Sequence, residues 1–401
     1  MRRSDICDGF GALMVVALLS ACTVPGSATA LHPDLDRLDY GSYQHIPLVA
    51  PVDHDLYTGK VVESMRLGEV MINPAKADVA LSQPADTMAA VPLPTPAKVA
   101  GVLSEQARAV LERHGMLAGF AVAGKDSAGT RSLTIVALRM PDAAAATKAA
   151  AEIDAADAAV NHENVAVQIA RHPAAHAHWR PTVPSVAATV VEGAYVVSVL
   201  AQHPTTDLAA LTTLVGKAFD AQLPELGRFV ATAPEQLTAL PVDTDGMLAR
   251  LVPEKLGRWS APAVLLMDLD RIAGGKVLLQ ASGVVFGPNA AYLWGNRESR
   301  STTERFAMIG YDALKREPDA VTARHAFERS KRAFAAEGMR SWPGPAGTDD
   351  ILCFNDAGSL EHVRYFCRVL HGRYVATVFA PTEQQVMQKA AAQYSLLVRA
   401  Q

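Results

Sequence analysis

Apolar positions follow two periods along most of the chain, and stretches of the two periods take turns. In LSEQARAVLERHG (103–115) apolar residues recur at helical spacing, and Gly115 supplies a stop. GFAVAG (119–124) and SLTIVALRM (132–140) read as strands joined by the turn-like KDSAGTR. DAAAATKAAAEIDAADAAV is helical, with Asp142 placed as its N-cap. VAVQIA is short and β-like, and SVAATVVEGAYVVSVLAQH predicts a hairpin turning at Glu192-Gly193. DLAALTTLVGKAFDAQL closes the series as a helix, so the order is α, β, β, α, β, β, β, α. Upstream, KVVESMRLGEVMI reads as a short helix with an extended exit, set between Pro47–Pro51 and Pro92–Pro96. That region is expected to wrap the first compact unit.

The second half repeats the plan. Phe306, Ala307, Gly310 and Asp312 of RFAMIGYDAL match Phe120, Ala121, Gly124 and Asp126. GRYVATVFA parallels GAYVVSVLA, with Gly372, Tyr374, Val375, Val378 and Ala380 matching Gly193, Tyr195, Val196, Val199 and Ala201. DAVTARHAFERSKRAFA stands where the alanine-rich helix stood, with Phe327 and Phe334 spaced for one buried face. QQVMQKAAAQYSLLVRA supplies the closing helix. Blocks recurring in one order predict a duplicated α+β module: two similar modules, each an antiparallel sheet packed against helices. Helices are expected on one face of each sheet, leaving the other face to the sister module. The expected boundaries are 1–21 for a signal peptide, 22–97 for a tether and N-terminal wrapping segment, 98–238 for the first domain and 239–401 for the second. PVDTDGMLARLVPEKLGRWSAP reads as the boundary and opening helix of the second domain.

Composition changes this picture little. Half of the 401 residues are apolar and 19% are charged, which is globular rather than disordered. A formal net charge of -4 gives no reason to expect a nucleic-acid partner.

The first segment says more. Arg2 and Arg3 precede a short apolar run, Phe10 to Leu19, and small residues lead to Cys22. The run is too short for a membrane span and fits a signal peptide. Leu19-Ser20-Ala21-Cys22 has the form of a bacterial lipoprotein cleavage box, with Cys22 as the lipidation site. The Cys22 thiol would take a diacylglycerol by thioether linkage, and cleavage would free its amine for further acylation. More than one acyl chain holds a protein stably at a bilayer. The competing readings are an ordinary secreted protein cleaved nearby and a coincidental cysteine in a membrane anchor. Lipidation predicts a place at the outer face of the plasma membrane, with membrane lipid as the partner of the acylated Cys22.

Cysteine arithmetic agrees with export. Cys7 leaves with the signal, Cys22 is lipidated, and Cys353 and Cys367 remain to pair. ILCFND and YFCRVL read as two strands of a hairpin joined by DAGSLEH, which brings the two cysteines together. Neither has cysteine partners at zinc spacing, His362 and His371 are weak ligands for them, and no metal site is expected.

Other chemistry is sparse. His172, His176 and His178 lie in ARHPAAHAHWRP, whose prolines read as an irregular exposed connection. Ser282 and Gly283 lack the rest of a nucleophile elbow. Ser301, Thr302 and Thr303 read as a polar turn, and Asp268 and Asp270 as a surface pair. Tyr292 and Trp294, placed alternately on a strand and followed by Asn296 and Arg297, form a candidate binding surface for a glycan or amphiphile, against core packing as the plain reading. Trp259 and Trp342 read as buttresses of turns. Arg329, Lys331 and Arg332 solvate a helix face or meet anionic envelope groups. No Walker A or G-x-G-x-x-G pattern is present, so no cofactor is expected.

LDRLDYGSYQHIP, GKVVESMRLGEVMI, GFAVAG and the cysteine-bearing hairpin together resemble the actinobacterial lipoproteins of the DUF7373 family. Leu38-Asp39-Tyr40-Gly41-Ser42-Tyr43 resembles the opening of those proteins, and Glu63, Met65 and Arg66 the segment that follows. The resemblance implies a duplicated α+β exported lipoprotein and supplies no catalytic residues. The expected function is non-catalytic: binding of an envelope lipid, glycan or protein partner. The alternatives are an envelope hydrolase assembled in a cleft and a purely structural spacer. An apolar pocket would favour lipid, an aromatic and polar groove glycan, and a broad apolar patch a protein.

Overall fold

Two antiparallel sheets of matching strand order carry most of the chain. The computed structural model describes residues 34–400, apart from 86–89, 269–276, 295–301 and 357–362. Cys22, Asp270, Asn296, Arg297, Ser301, His362 and most of the DAGSLEH connection therefore lie outside the described residues.

In the first half the strands are β1 (Gln83–Pro84), β2 (Ala90–Pro92), β3 (Ala118–Lys125), β4 (Ser132–Arg139), β5 (Val165–Ala166), β6 (His176–Trp179), β7 (Ser185–Glu192) and β8 (Tyr195–Gln202). They order as β1-β3-β4-β8-β7-β6-β5, and β2 also pairs with β3. A hairpin of β9 (Ala263–Asp268) and β10 (Val277–Ser282) follows. The second half contains β11 (Val284–Phe286), β12 (Arg305–Ile309), β13 (Asp312–Arg316), β14 (Arg340–Pro343), β15 (Ile351–Asn355), β16 (Tyr365–His371) and β17 (Tyr374–Ala380), ordered β11-β12-β13-β17-β16-β15-β14. Matched strands occupy matched places, which is the duplication seen in GAYVVSVLA and GRYVATVFA. Gly193 and Gly372 turn the equivalent hairpins at φ 55° and 53°, a region a side chain resists.

The helices are α1 (Leu56–Leu67), α2 (Glu105–Arg113), α3 (Ala143–Ala158), α4 (Leu208–Leu226), α5 (Pro288–Trp294), α6 (Ala320–Ala336) and α7 (Glu383–Arg399). Asp142 caps α3, accepting from the Ala145 amide at 2.8 Å. Helices cover both faces of each sheet, not one. In the first half, Arg139 of β4 meets Glu63 of α1, while His178, on the opposite face, meets Asp154 of α3. In the second half, Val386, Ala390 and Leu397 of α7 join Leu314, Ala376 and Val378, whereas Ala323 and Phe327 of α6 join Leu370 and Val375 on the other side. The reason lies in the strands. Seven successive residues of β3 are buried, so neither face tolerates water. The sister modules accordingly do not stack sheet on sheet. They meet through α1, α5 and β11, and one apolar cluster runs from Phe120 and Val122 to Phe286, Ala290, Leu293 and Phe306.

Three further differences from the sequence reading have local causes. The opening helix of the second half is instead a 3₁₀ turn, Thr244–Gly246, followed by irregular backbone. Asp245 and Gly246 sit at φ 60° and 66°, and Asp243 accepts from the Leu248 and Ala249 amides at 2.6 and 3.0 Å, closing a loop in place of a helix. His176 and His178 belong to strand β6, not to a loop. Residues 35–43, read as part of a tether, instead pack on the second half: Leu35 and Leu38 lie beside α7, Tyr40 and Tyr43 cover Ala392 and Leu396, and Gln388 donates to Asp39 at 2.9 Å, whereas α1 and β2 of the region that follows pack on β3 of the first half.

Each half also repeats one polar device. Gln222 of α4 accepts from the Ile72 amide at 3.0 Å and donates to Val70 O at 2.9 Å. Gln393 of α7 accepts from the Val252 amide at 3.2 Å and donates to Arg250 O at 2.6 Å. Both are fully buried, and each holds the extended segment that leads into its own half. Cys353 faces Cys367 across β15 and β16, and the two form a disulfide.

Candidate functional site

A cavity lies where the two halves meet, and α1 is its first wall. Asp55 caps α1, accepting from the Thr58 amide at 2.7 Å, and that hydrogen bond holds its carboxyl below the usual aspartate range. One turn on, Gly59 presses against Leu237, an approach that leaves no room for a Cβ. Glu63 is fully buried and saturated. Its Oε1 accepts from Arg139 Nη1 at 2.6 Å and from the Thr232 amide at 3.0 Å. Its Oε2 accepts from Arg66 Nη1 at 2.6 Å and Thr232 Oγ1 at 2.9 Å. Arg66 also donates to Val230 O at 3.0 Å and lies over the Phe229 ring. This network fastens the connection between the halves to the face of α1. A buried carboxylate is stable here because two guanidinium groups and a backbone amide share it.

The second wall comes from β11 and α5. Glu69, just past α1, points at the start of α5, and its carboxylate accepts from the Asn289 and Ala290 amides at 3.1 and 3.0 Å. Gly287 permits this approach, since a Cβ there would lie 2.4 Å from Glu69 Cδ. Burial raises the Glu69 pKa, while the two amides and Arg305 act against the rise. Asn289 answers from the other side, donating to Gly68 O at 3.0 Å and Met71 O at 2.8 Å. Between these walls lies a cavity of about 310 Å³. Val62, Met65, Val242, Pro262, Val284 and Val285 make it largely apolar, and Arg66, Glu69, Thr244 and Arg305 add polar groups. The size and lining are those of a small-ligand site at a domain junction.

Of the residues named from sequence, Met65, Arg66 and Gly283 line this cavity, and the candidate aromatic, histidine and serine side chains lie elsewhere. Residues 288–294 form a helix, not a strand, so Tyr292 and Trp294 diverge. The Tyr292 hydroxyl accepts from Asn73 Nδ2 at 3.1 Å, and Trp294 packs on Phe286 and Phe306, with ring centroids 5.9 and 4.9 Å away. Both are half-buried at the junction of the halves. Their partners Asn296 and Arg297 lie outside the described residues. His172 pairs with Asp220 at 3.0 Å and His178 with Asp154 at 2.8 Å, while His176 is exposed. Among the described residues no group of three metal-binding side chains forms. Ser282 is buried, accepting from the Gly310 amide at 2.8 Å and donating to Glu254 at 3.2 Å. Trp259 and Trp342 pack against the second-half core. Sequence reading missed the site itself. Glu63 and Arg66 lie in its family-like segment, but nothing local marks Glu69, Gly287, Asn289 or Arg305 as partners.

Comparisons with known proteins point to a family and to no chemistry. The N-terminal profile of a family described as a domain of unknown function, DUF7373, matches residues 50–242, and its C-terminal profile matches residues 247–400. No curated protein matches significantly. Among solved structures, the extracellular domain of PknH from Mycobacterium tuberculosis is 11% identical with a TM-score of 0.27, the alignment covering 44% of this chain and 98% of that one. A likeness of that degree says nothing about ligand or activity. Among the described residues no helix is long and apolar enough to cross a membrane.

Proposed function

The chain belongs to the DUF7373 family, and from that premise we propose that it is a non-catalytic envelope lipoprotein of an actinobacterial cell. In this reading it is anchored through acylated Cys22 at the outer face of the plasma membrane. It binds an envelope lipid or other amphiphile in the cavity between its halves. The observation that carries the reading is that cavity: about 310 Å³, with apolar walls from α1 on one side and β11 on the other. Among the described residues its lining contains no serine, cysteine or histidine, and the carboxylate of Glu69 is engaged by two backbone amides. That favours holding a ligand over hydrolysing one. Two part-exposed arginines, Arg66 and Arg305, suit a polar head beside an apolar body. The Cys353–Cys367 disulfide agrees with an oxidising compartment, and the box ending in Cys22 supplies the anchor.

The test is native mass spectrometry of protein extracted from the envelope, comparing wild type with Val62→Phe, which fills the cavity. A reproducible amphiphile present on the first and lost from the second is the expected result. Protein free of small molecules in both, or a ligand retained by the variant, would overturn the cavity reading. Intact mass from the same sample checks the anchor: loss of residues 1–21 with added acyl mass is expected, and an unmodified Cys22 would sink that part.

A further inference from the structure

The duplication supplies its own control for one feature of the second half. Leu138 faces Val196 as Lys315 faces Val375, and Thr189 faces Ser198 as Arg368 faces Thr377. The Met140 amide donates to Ala194 O as the Glu317 amide donates to Arg373 O, each at 2.8 Å. In the first half this face therefore carries Leu138, Met140, Thr189 and Ser198, all buried and none charged. The same fold stands without ions there. In the second half the corresponding four positions hold Lys315, Glu317, Arg368 and Thr377.

The surroundings differ in a matching way. In the first half α2 packs beside α3, the helix on this face. In the second half α5, which takes the place of α2 in chain order, turns instead to β2 and the end of α1. The main sheet contacts of α6 are with β16 and β17, so Lys315 on β13 lies beside it rather than beneath a helix pair.

Among the described residues, basic side chains gather on this face. Glu317 is buried, accepting from Thr302 and Thr303 hydroxyls at 2.9 and 3.0 Å, and it is the counter-charge that both Lys315 and Arg368 feel. Arg329 of α6 adds a third cation near Lys315. Arg368 Nη1 donates to Thr377 Oγ1 at 2.6 Å, while its Nε is inaccessible and without a partner. Lys315 Nζ sits 6.0 Å from the centre of the Phe306 ring. Burial lowers the pKa of both, that of Arg368 to about 10. Among the described residues, Glu317 is the carboxylate that acts on both Lys315 and Arg368.

We propose that this face of the second sheet, beside α6, is a binding site for a phosphate-type oxyanion, contacted by Lys315, Arg368 and Arg329. Thr377 and Glu317 hold the cations in place. A phosphate group carries close to two negative charges at neutral pH and accepts several charge-assisted hydrogen bonds, which suits grouped basic donors of which one, Arg368 Nε, has no partner. Phe306 and Phe366 share the face and give the site apolar flanks. The site lies outside the cavity between the halves and does not rest on that reading.

The experiment is calorimetric titration of the full chain in detergent. The probes are inorganic phosphate at constant ionic strength, dioctanoyl phosphatidic acid, and dioctanoylglycerol as the lipid without a phosphate. The main variant combines Lys315→Leu with Arg368→Thr, the residues the first half uses, and is expected to fold with an undiminished melting temperature. Arg329→Gln, on an exposed helix surface, is a second variant whose folding is not in question. Binding at least about tenfold weaker in the double variant, and severalfold weaker in Arg329→Gln, is expected. Response to inorganic phosphate identifies free phosphate as the ligand, and response to phosphatidic acid alone identifies a lipid headgroup. Binding of neither phosphate probe, or equal binding by wild type and Arg329→Gln, overturns the proposal.

Discussion

Glu69 shows how a single side chain serves two halves at once. It leaves the end of α1 and satisfies two amides at the start of α5, where unpaired donors gather. Burial raises its pKa, so the folded protein holds that proton more tightly than the unfolded chain does. Stability then falls as pH rises through the interval between the ordinary glutamate value and the raised one. Glutamine keeps an acceptor oxygen without the charge. The melting temperature of Glu69→Gln is therefore expected to gain on wild type between mildly acidic and neutral pH. Parallel melting curves across that range would show that Glu69 does not titrate differently in the two states. Asp55 has the opposite sign. Its pKa is lowered by the Thr58 amide, so its contribution is present above the ordinary aspartate value and is lost as pH falls through the lowered one.

At the scale of elements, α1 is the piece both halves lean on. One side carries Glu63 to Arg139 and Thr232, and its end meets Asn289 of α5. Its fit to the 234–239 turn depends on Gly59. Alanine would improve helix propensity by about 1 kcal/mol. Its Cβ, however, would stand 2.2 Å from Leu237 O, and a backbone oxygen cannot rotate away. Overpacking costs about 1–3 kcal/mol or more, so Gly59→Ala is expected to lose stability in a urea titration. An unchanged or higher midpoint would mean that the turn shifts freely. The β15–β16 pair has a second fastening in its disulfide, whose sequence separation is 14. Replacing Cys353 and Cys367 together by alanine should cost about 3 kcal/mol, measurable by the same titration.

For the whole molecule, the important fact is that the first-half core continues across the junction into the second half. Phe120 and Val122 of the first sheet share a cluster with Phe286, Leu293 and Phe306 of the second half. The opening segment returns to α7, so the chain crosses between its halves twice. Neither half can unfold without exposing apolar surface on the other. A single calorimetric transition is expected, with the van't Hoff enthalpy equal to the measured one. Two resolved transitions would show that the junction, cavity included, is a loose contact between independent domains.

Much of this architecture is legible locally. The alternation in GAYVVSVLA and GRYVATVFA, the cap at Asp142 and the glycine turns at 193 and 372 each depend on a few adjacent residues, whose backbone preferences act wherever the segment sits. The cysteine pairing was readable because a hairpin register places Cys353 opposite Cys367. The segment at Tyr292 and Trp294 was not. Its alternation suits a strand, and it is a helix whose first amides meet Glu69, a residue more than two hundred positions away in the chain. The same distance separates the walls of the cavity, and 76 residues separate Glu63 from Arg139. Local sequence determined the elements and their repetition, because strand and helix periods are written in neighbouring side chains. Only the tertiary structure decided which faces are covered, which charges are paired and where space remains, because burial and ion pairing depend on residues the chain brings together last.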